Sequence, residues 1–202
     1  YLGISRIDYL MISHFDADHA GGLPHLLQRK RVKNIMIPPY QQKTELHEQL
    51  AAGLSRRKVR LHFLTAGISF KIADCSFEIL NPEPDMINED RNENSIVFLL
   101  KHKKRKFLFT GDLSKKGEAR IVKDYNLTKI DILKVGHHGS KTSSGELLLD
   151  KVRPELAVIS VGRNNFGHPA KEVIDRFKDK SIRYLRTDQS GMIKVISDGE
   201  NI

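Results

Sequence analysis

The chain has 202 residues, 39% of them hydrophobic and 29% charged. That composition excludes a disordered segment and fits one ordinary core better than two clear domains. No apolar run reaches the ~18 residues needed to span a bilayer, and the single cysteine, Cys75, excludes an internal disulfide framework and a cysteine-rich zinc site. The formal charge of +9 favours polyanionic partners such as nucleic acid or an anionic membrane face. Two local concentrations of positive charge, Gln28 to Lys33 and Lys101 to Lys106, add to that expectation. The chain opens on Tyr1-Leu2-Gly3-Ile4 without a basic leader, so the expectation is that residues are missing ahead of Tyr1.

Ile7 to Ile12 reads as a buried strand, and Gly21-Gly22 opens a short helix over Leu23 to Gln28. Asn34 to Ile37 is a strand stopped by Pro38-Pro39. Leu46, Leu50 and Leu54 recur at helical spacing and predict a helix over Thr44 to Arg56. Val59 to Leu64 alternates as a half-buried strand does, and Ile68 to Ile72 and Phe77 to Leu80 are strands after the turn at Ala66-Gly67. The polar stretch Asn81 to Asn94 reads as a loop. Ser95 to Leu100 and Lys106 to Thr110 form a hairpin with a charged tip. Gly111-Asp112 then leads into a helix from Ser114 to Tyr125, with Ser114 as N-cap and Gly117 as a weak point. Ile130 to Val135 is an apolar strand, followed by a short helix over Gly145 to Asp150 and a strand over Leu156 to Val161. Pro169 opens a helix that reaches Lys178. Strands over Ile182 to Leu185 and Met192 to Ile196 end the chain. Such an order predicts a layered α/β domain with mixed sheets.

The densest chemistry is His14-Phe15-Asp16-Ala17-Asp18-His19, followed by Gly21-Gly22. Carboxylates at the end of a buried strand are strongly unfavourable unless a cation or partner neutralises them. In an extended segment His14 and Asp16 point the same way and can grip one ion. Asp18 and His19 lie past the bend and can grip a second ion or the far side of the first. Three later segments share one design, an apolar strand, then glycine, then a polar group. They end in Thr110-Gly111-Asp112, in Val135-Gly136-His137-His138-Gly139-Ser140, and in the run from Gly162 to His168-Pro169. Polar groups at strand ends of a layered sheet converge on one edge, where ligands bind. The bland alternatives are helix capping for Asp112 and a structural loop role for His168.

Together these motifs, with Asn164-Asn165-Phe166-Gly167-His168-Pro169 and Arg186-Thr187-Asp188-Gln189-Ser190-Gly191, resemble the metallo-β-lactamase superfamily. Within it they are similar to the soluble C-terminal domain of the ComEC family of DNA-internalisation competence proteins. The resemblance covers nearly the whole chain. It implies an αββα sandwich, as one domain over residues 1–202, with the family's first N-terminal strands expected ahead of Tyr1. It places His14, Asp16, Asp18, His19, Asp112 and His137 on metal-binding positions, with Asp112 as the bridging carboxylate. His137 matches the final histidine because it comes first after the strand, which leaves His138 to support the ligands or face substrate. The superfamily usually has a second histidine where Asp16 stands, which shifts the first site toward oxygen ligands. Its middle histidine, expected just before Ser95, is absent, and Asn92 or Asn94 occupies that region.

The resemblance further implies two divalent cations, manganese or zinc with magnesium a further option, that lower the pKa of a shared water. The activity implied is phosphodiester hydrolysis of DNA, degrading the strand that is not taken up, with Asp18, His138 and His168 as catalytic residues. His168 or His138 would protonate the leaving oxygen. Lys141, Thr142, Ser143 and Ser144 would hold a neighbouring phosphate, and the basic clusters would hold the strand. The domain would be a soluble part of a bacterial membrane protein, attached to its channel on the extracytoplasmic side. Two other readings are open: a hydrolase of a small phosphodiester, phosphonate or lactone, and a catalytically degenerate domain that binds DNA.

Overall fold

Apolar side chains alternate along the strands so that each sheet turns one face to helices and the other to the opposite sheet. The computed structural model describes residues 3–39, 59–85 and 90–202. Strands β1 (Arg6–Met11), β2 (Arg31–Ile37) and β3 (Arg60–Phe63) form a three-stranded parallel sheet in that order. The second sheet contains β4 (Ser69–Ile72), β5 (Cys75–Asn81), β6 (Val97–His102), β7 (Arg105–Phe109), β8 (Ile132–Lys134), β9 (Leu156–Ile159) and β10 (Arg183–Arg186). These seven strands lie in the order β10-β9-β8-β7-β6-β5-β4. The β4 to β7 part is antiparallel, and the β7 to β10 part is parallel.

Helices α1 (Ala17–Ala20) and α2 (Leu23–Arg29) serve the small sheet, while α3 (Lys115–Asp124), α4 (Glu146–Val152) and α5 (Lys171–Asp179) serve the large one. Three apolar clusters map the layers. Leu23, Leu27 and Ala20 pack on Val32, Ile35 and Ile37. Met36 and Leu64 meet Ile79 and Ile96 between the sheets. Ile121, Leu148, Leu149, Val173 and Phe177 cover Leu99, Leu108, Leu133, Ala157 and Ile159. The layer order is therefore αββα. At β6 the alternation is plain: Val97 and Leu99 face the helices, and Phe98, with Ile96 just ahead of the strand, faces the other sheet. Phenylalanines pair across that inner face, Phe70 on Phe77 with ring centroids 4.9 Å apart and Phe98 on Phe109 at 4.6 Å.

The expected strands from Ile7 to Leu185 form, with ends shifted by a few residues. Met192 to Ile196 does not form a strand. Gly191 breaks the chain with φ +67°, and Ile193 and Val195 line a groove beside Leu100 and Phe107 without a strand partner. A short helix α6 (Thr187–Ser190) stands just before it. Ser114 precedes α3 but makes no side-chain cap. Instead its N–H donates to Glu93 at 3.3 Å. Pro169 lies just outside α5, whose N-cap is Ala170. The stretch read as loop holds a 3₁₀ turn, Arg91–Asn94. The helix expected over Thr44 to Arg56 lies outside the described residues.

Strand polarity fixes where the polar groups go. β1, β7, β8 and β9 all leave their sheets at the same edge, carrying His14 to His19, Asp112, His137-His138 and Ser160 to His168 respectively. The Ile96 N–H donates to the Ser13 carbonyl at 2.8 Å, which ties the two sheets together at that edge.

Candidate metal centre

The chain after β1 is pinned by two buried side chains, Ile12 and Phe15, and turned by α1. The Asp16 carbonyl accepts from the N–H groups of His19 and Ala20 at 3.0 and 2.9 Å. This turn stacks the His14 and His19 rings with centroids 4.1 Å apart. The Ser13 hydroxyl lies 3.1 Å from His14 Nδ1 and 3.3 Å from His19 Nδ1. Both imidazoles are thus held by Nδ1, and both present Nε2 to the same space.

Asp112 enters from the large sheet. Gly111 takes φ +51°, and a Cβ there would stand 2.6 Å from the Ser95 Cβ, so the turn needs glycine. The Asp112 N–H donates to the Ser95 hydroxyl at 3.0 Å, and that hydroxyl lies 3.3 Å from His14 Nδ1. The buried carboxylate meets four imidazoles: Oδ1 is 3.3 Å from His19 Nε2, and Oδ2 is 3.7 Å from His138 Nε2 and 3.9 Å from both His14 and His137 Nε2. Burial opposes its ionisation, yet His19, His14 and His138 together hold the carboxyl well below the usual carboxylate range. Burial, helped by His19, pushes His14 down to about 4, so its imidazole is neutral near pH 7.

His137 and His138 both adopt left-handed backbone, with φ of 47° and 52°. The His138 Nδ1 lies 2.7 Å from the Ser160 carbonyl, a contact that requires the proton on Nδ1 and turns Nε2 toward the cluster. That Nε2 is 3.1 Å from Asp18 Oδ2 and 3.1 Å from His19 Nε2. Two imidazole nitrogens at such a distance need a proton or a cation between or beside them. Among the described residues two three-residue donor groups result, His14 with His19 and Asp112, and Asp18 with His19 and His138. His14 Nε2 and Asp112 Oδ1 are buried with no hydrogen-bond partner. Orphaned buried polar atoms are unfavourable unless something fills their valence. Imidazole and carboxylate donors converging on that space fit a divalent cation.

The remaining expected residues are distributed as follows. Asp16 lies 3.9 Å from His14 Nε2, but its other oxygen is taken by Arg91 at 3.1 Å. His168 stands behind His137 with ring centroids 5.7 Å apart, and its buried Nδ1 has no partner. Lys141 and Thr142 are exposed. Ser143 and Ser144 are buried: the Ser143 hydroxyl donates to the Gly136 carbonyl at 2.7 Å, and the Ser144 N–H donates to Glu118 at 2.7 Å. They shape the loop, which narrows the expected phosphate contact to Lys141 and Thr142. Asn94 is buried and donates to the Asp90 carbonyl at 3.2 Å, away from the donor groups. Ser13, Ser95, Ser160 and Arg91 support the cluster although the sequence gives no motif for them. A groove of about 440 Å³ opens beside it, lined by Asp18, His19, His138, Phe98, Phe109 and Lys134.

This sandwich with its edge cluster defines a class, and the chain belongs to it: the pattern of the metallo-beta-lactamase superfamily matches residues 1–163. Solved structures agree on the fold. A Tm1679 structure, titled a metal-dependent hydrolase of the beta-lactamase superfamily, aligns with a TM-score of 0.58 at 18% identity, over 93% of this chain and 79% of that one. CmlA from Streptomyces venezuelae, a diiron beta-hydroxylase, aligns with a TM-score of 0.61 at 12% identity, over 91% of this chain and 44% of that one. Among curated proteins the chain is similar to ComE operon protein 3 of Bacillus subtilis (strain 168), at 36% identity over 95% of this chain and 25% of that protein. It is similar to Competence protein ComA of Neisseria gonorrhoeae at 35% identity, over 95% of this chain and 26% of that protein. Recombination protein 2 of Haemophilus influenzae is 34% identical over 94% of this chain and 22% of that protein. The chain thus spans about a quarter of the length of these relatives. Among the described residues no helix is long and apolar enough to cross a membrane.

Proposed function

We propose that this domain is a metal-dependent phosphodiesterase of DNA that degrades the strand left outside during DNA uptake. The observation that carries the reading is the meeting of His14, Asp18, His19, Asp112 and His138, drawn from three separate segments, around buried atoms that lack partners. His14, Asp16, Asp18, His19, Asp112, His137 and His138 would hold two divalent ions, manganese, zinc or magnesium. When bound, such ions polarise a phosphoryl oxygen and ease deprotonation of water. The chain's own residues supply the rest. Ser13 and Ser95 hold the His14 ring, and the Ser160 carbonyl fixes the His138 proton on Nδ1. Asp18 is exposed at the edge of the cluster, where its carboxylate would serve as the outermost donor to an ion. Lys134 lines the groove, but its ammonium donates to the Val135 carbonyl at 2.9 Å and burial disfavours its charged form, so it adds little pull on an anionic substrate. His138 is engaged at both nitrogens, while burial and the neighbouring His137 and His138 disfavour the protonated form of His168, so either imidazole would need the incoming phosphate to hold the proton it passes to the departing oxygen. The names Competence protein ComA and Recombination protein 2 of two relatives support DNA as substrate, and on this reading the domain would sit beside a membrane channel on its extracytoplasmic side.

The test is a DNA cleavage assay across manganese, magnesium and zinc, with Asp18→Ala and Asp112→Ala alongside. We expect manganese-stimulated cleavage that falls at least ~100-fold in both variants. Cleavage unchanged in Asp112→Ala would overturn the assignment. Hydrolysis of a small chromogenic phosphodiester without cleavage of DNA would replace it with a small-substrate hydrolase. Failure to retain any divalent ion, with no cleavage on adding manganese, would replace it with a binding domain.

A further inference from the structure

The loop from Gly162 to His168 presents Phe166 to solvent with 82% of the residue exposed, beside the cluster but outside it. Single exposed apolar residues are common on soluble surfaces. This one differs because the backbone that carries it is tied down. The Asn164 side chain makes four hydrogen bonds. Its amide donates to the Gly162 carbonyl at 2.9 Å and to the His168 carbonyl at 2.8 Å, and its oxygen accepts from the N–H groups of Phe166 and His168, each at 3.0 Å. Every donor and acceptor of that amide faces the loop's own backbone. The Phe166 ring lies over His168 with centroids 6.0 Å apart and planes at 27°, and His168 in turn sits 5.7 Å from His137. Phe166, His168 and His137 therefore form a file of rings running from solvent to the donor groups. Arg163, exposed in the same loop, adds a positive charge.

We infer that Phe166 is a stacking platform for one nucleobase of single-stranded DNA, next to the nucleotide whose phosphate reaches the metal centre. The inference rests on the phosphodiesterase reading and narrows it to strands whose bases are free to unstack. A held aromatic ring binds any base by its face and so predicts little sequence preference. A backbone ordered before binding by the Asn164 bonds also lowers the conformational entropy lost when the loop makes contact.

The test measures binding apart from cleavage. An oligonucleotide carrying 2-aminopurine is titrated onto the full chain in EDTA, so that the strand stays intact, beside an otherwise identical abasic oligonucleotide. Stacking of one base on an aromatic side chain predicts that the base-bearing strand binds about 5- to 150-fold more tightly and that its fluorescence is quenched. Phe166→Ala should close that gap and remove the quenching, and Phe166→Trp should restore both. Because the ring is exposed, loss of fold is not expected, and far-ultraviolet circular dichroism checks it. Equal affinity for base-bearing and abasic strands in the unmodified protein, or an undiminished gap in Phe166→Ala, would overturn the inference. Absence of nuclease activity would overturn the proposed function and leave this result standing.

Discussion

Ser95 is a small residue with a large share in the site. Its hydroxyl accepts from the Asp112 N–H and lies 3.3 Å from His14 Nδ1, so one side chain fixes a carboxylate and an imidazole from different sheets. Outer partners of metal ligands typically carry 10–100-fold in affinity. Ser95→Ala should weaken manganese binding by about that factor, as read by isothermal titration, while Ser95→Thr should retain more of it. Affinity unchanged in Ser95→Ala would show that the hydroxyl has no such role. The sequence disclosed the acidic cluster from His14 to His19 because its members sit together on one short segment. It disclosed Asp112 and the histidine pair because each follows an apolar strand and a glycine. Ser95 was invisible, since its partners lie 17 and 81 positions away. The order of His137 and His138 was also illegible. Reading outward from a strand assumes extended alternation, and two successive left-handed residues break it, so that the second ring takes the place beside Asp18 and His19.

Among the elements, α3 supplies the least expected contact. Glu118 is buried on its inner face and accepts the N–H groups of Ser144 and Gly145 at 2.7 Å each, anchoring the loop after the histidine pair to the helix. Burial pushes its carboxyl up to about 7, against those two hydrogen bonds and the charges of Arg176 and Lys115. A carboxyl whose folded pKa exceeds its unfolded value stabilises the fold fully below the unfolded value, near 4.5, and that contribution is lost as pH rises through about 7. Thermal midpoints of the parent chain and of Glu118→Gln should therefore lie closest to the parent's advantage at pH 5, and the parent should lose ground to the variant by pH 8. At ~2–4 °C per kcal/mol the change is readable by calorimetry. A difference between the two proteins that does not vary with pH would sink this account. Most strands and the three main helices were legible because their apolar spacing matches one buried face. The failures are local: Ser114 has a capping residue's identity without its bond, and the apolar run Met192 to Ile196 packs beside the large sheet without pairing with any described strand.

Across the whole molecule, charge is placed differently from what its amount suggests. The hairpin tip sits at the start of β7, whereas Asp112 follows its end, roughly 17 Å away at ~3.3 Å per residue. Arg31 begins β2 beside Arg6 at the start of β1, again the end remote from His14. Much of this charge is also engaged locally: Lys103 donates to the Asp198 carbonyl at 3.0 Å, Lys104 pairs with Glu200 at 2.7 Å, Arg105 with Asp131 at 2.8 Å and Lys33 with Asp8 at 2.9 Å. Among the described residues, Arg91 on the site's side is taken by Asp16, and the exposed cations in the loops after β8 and β9 are Lys141 and Arg163. Replacing Lys103 and Lys104 with serine should leave single-stranded DNA affinity within about twofold, because neither cation would lie along the strand's path. Replacing Lys141 and Arg163 with serine should reduce the slope of log affinity against log salt by about 1.4, at ~0.7 per contact. The reverse pattern would move the strand to the far end of the sheets. Composition gave the sign of the net charge but could not locate it, since location depends on strand direction.

His19 belongs to both donor groups, yet Ser13 occupies its Nδ1 and only Nε2 is left to bind. One nitrogen cannot fully serve two cations. Whichever ion claims it first leaves its neighbour with a poorer set of donors, so the pair would load in succession, one tightly and one loosely.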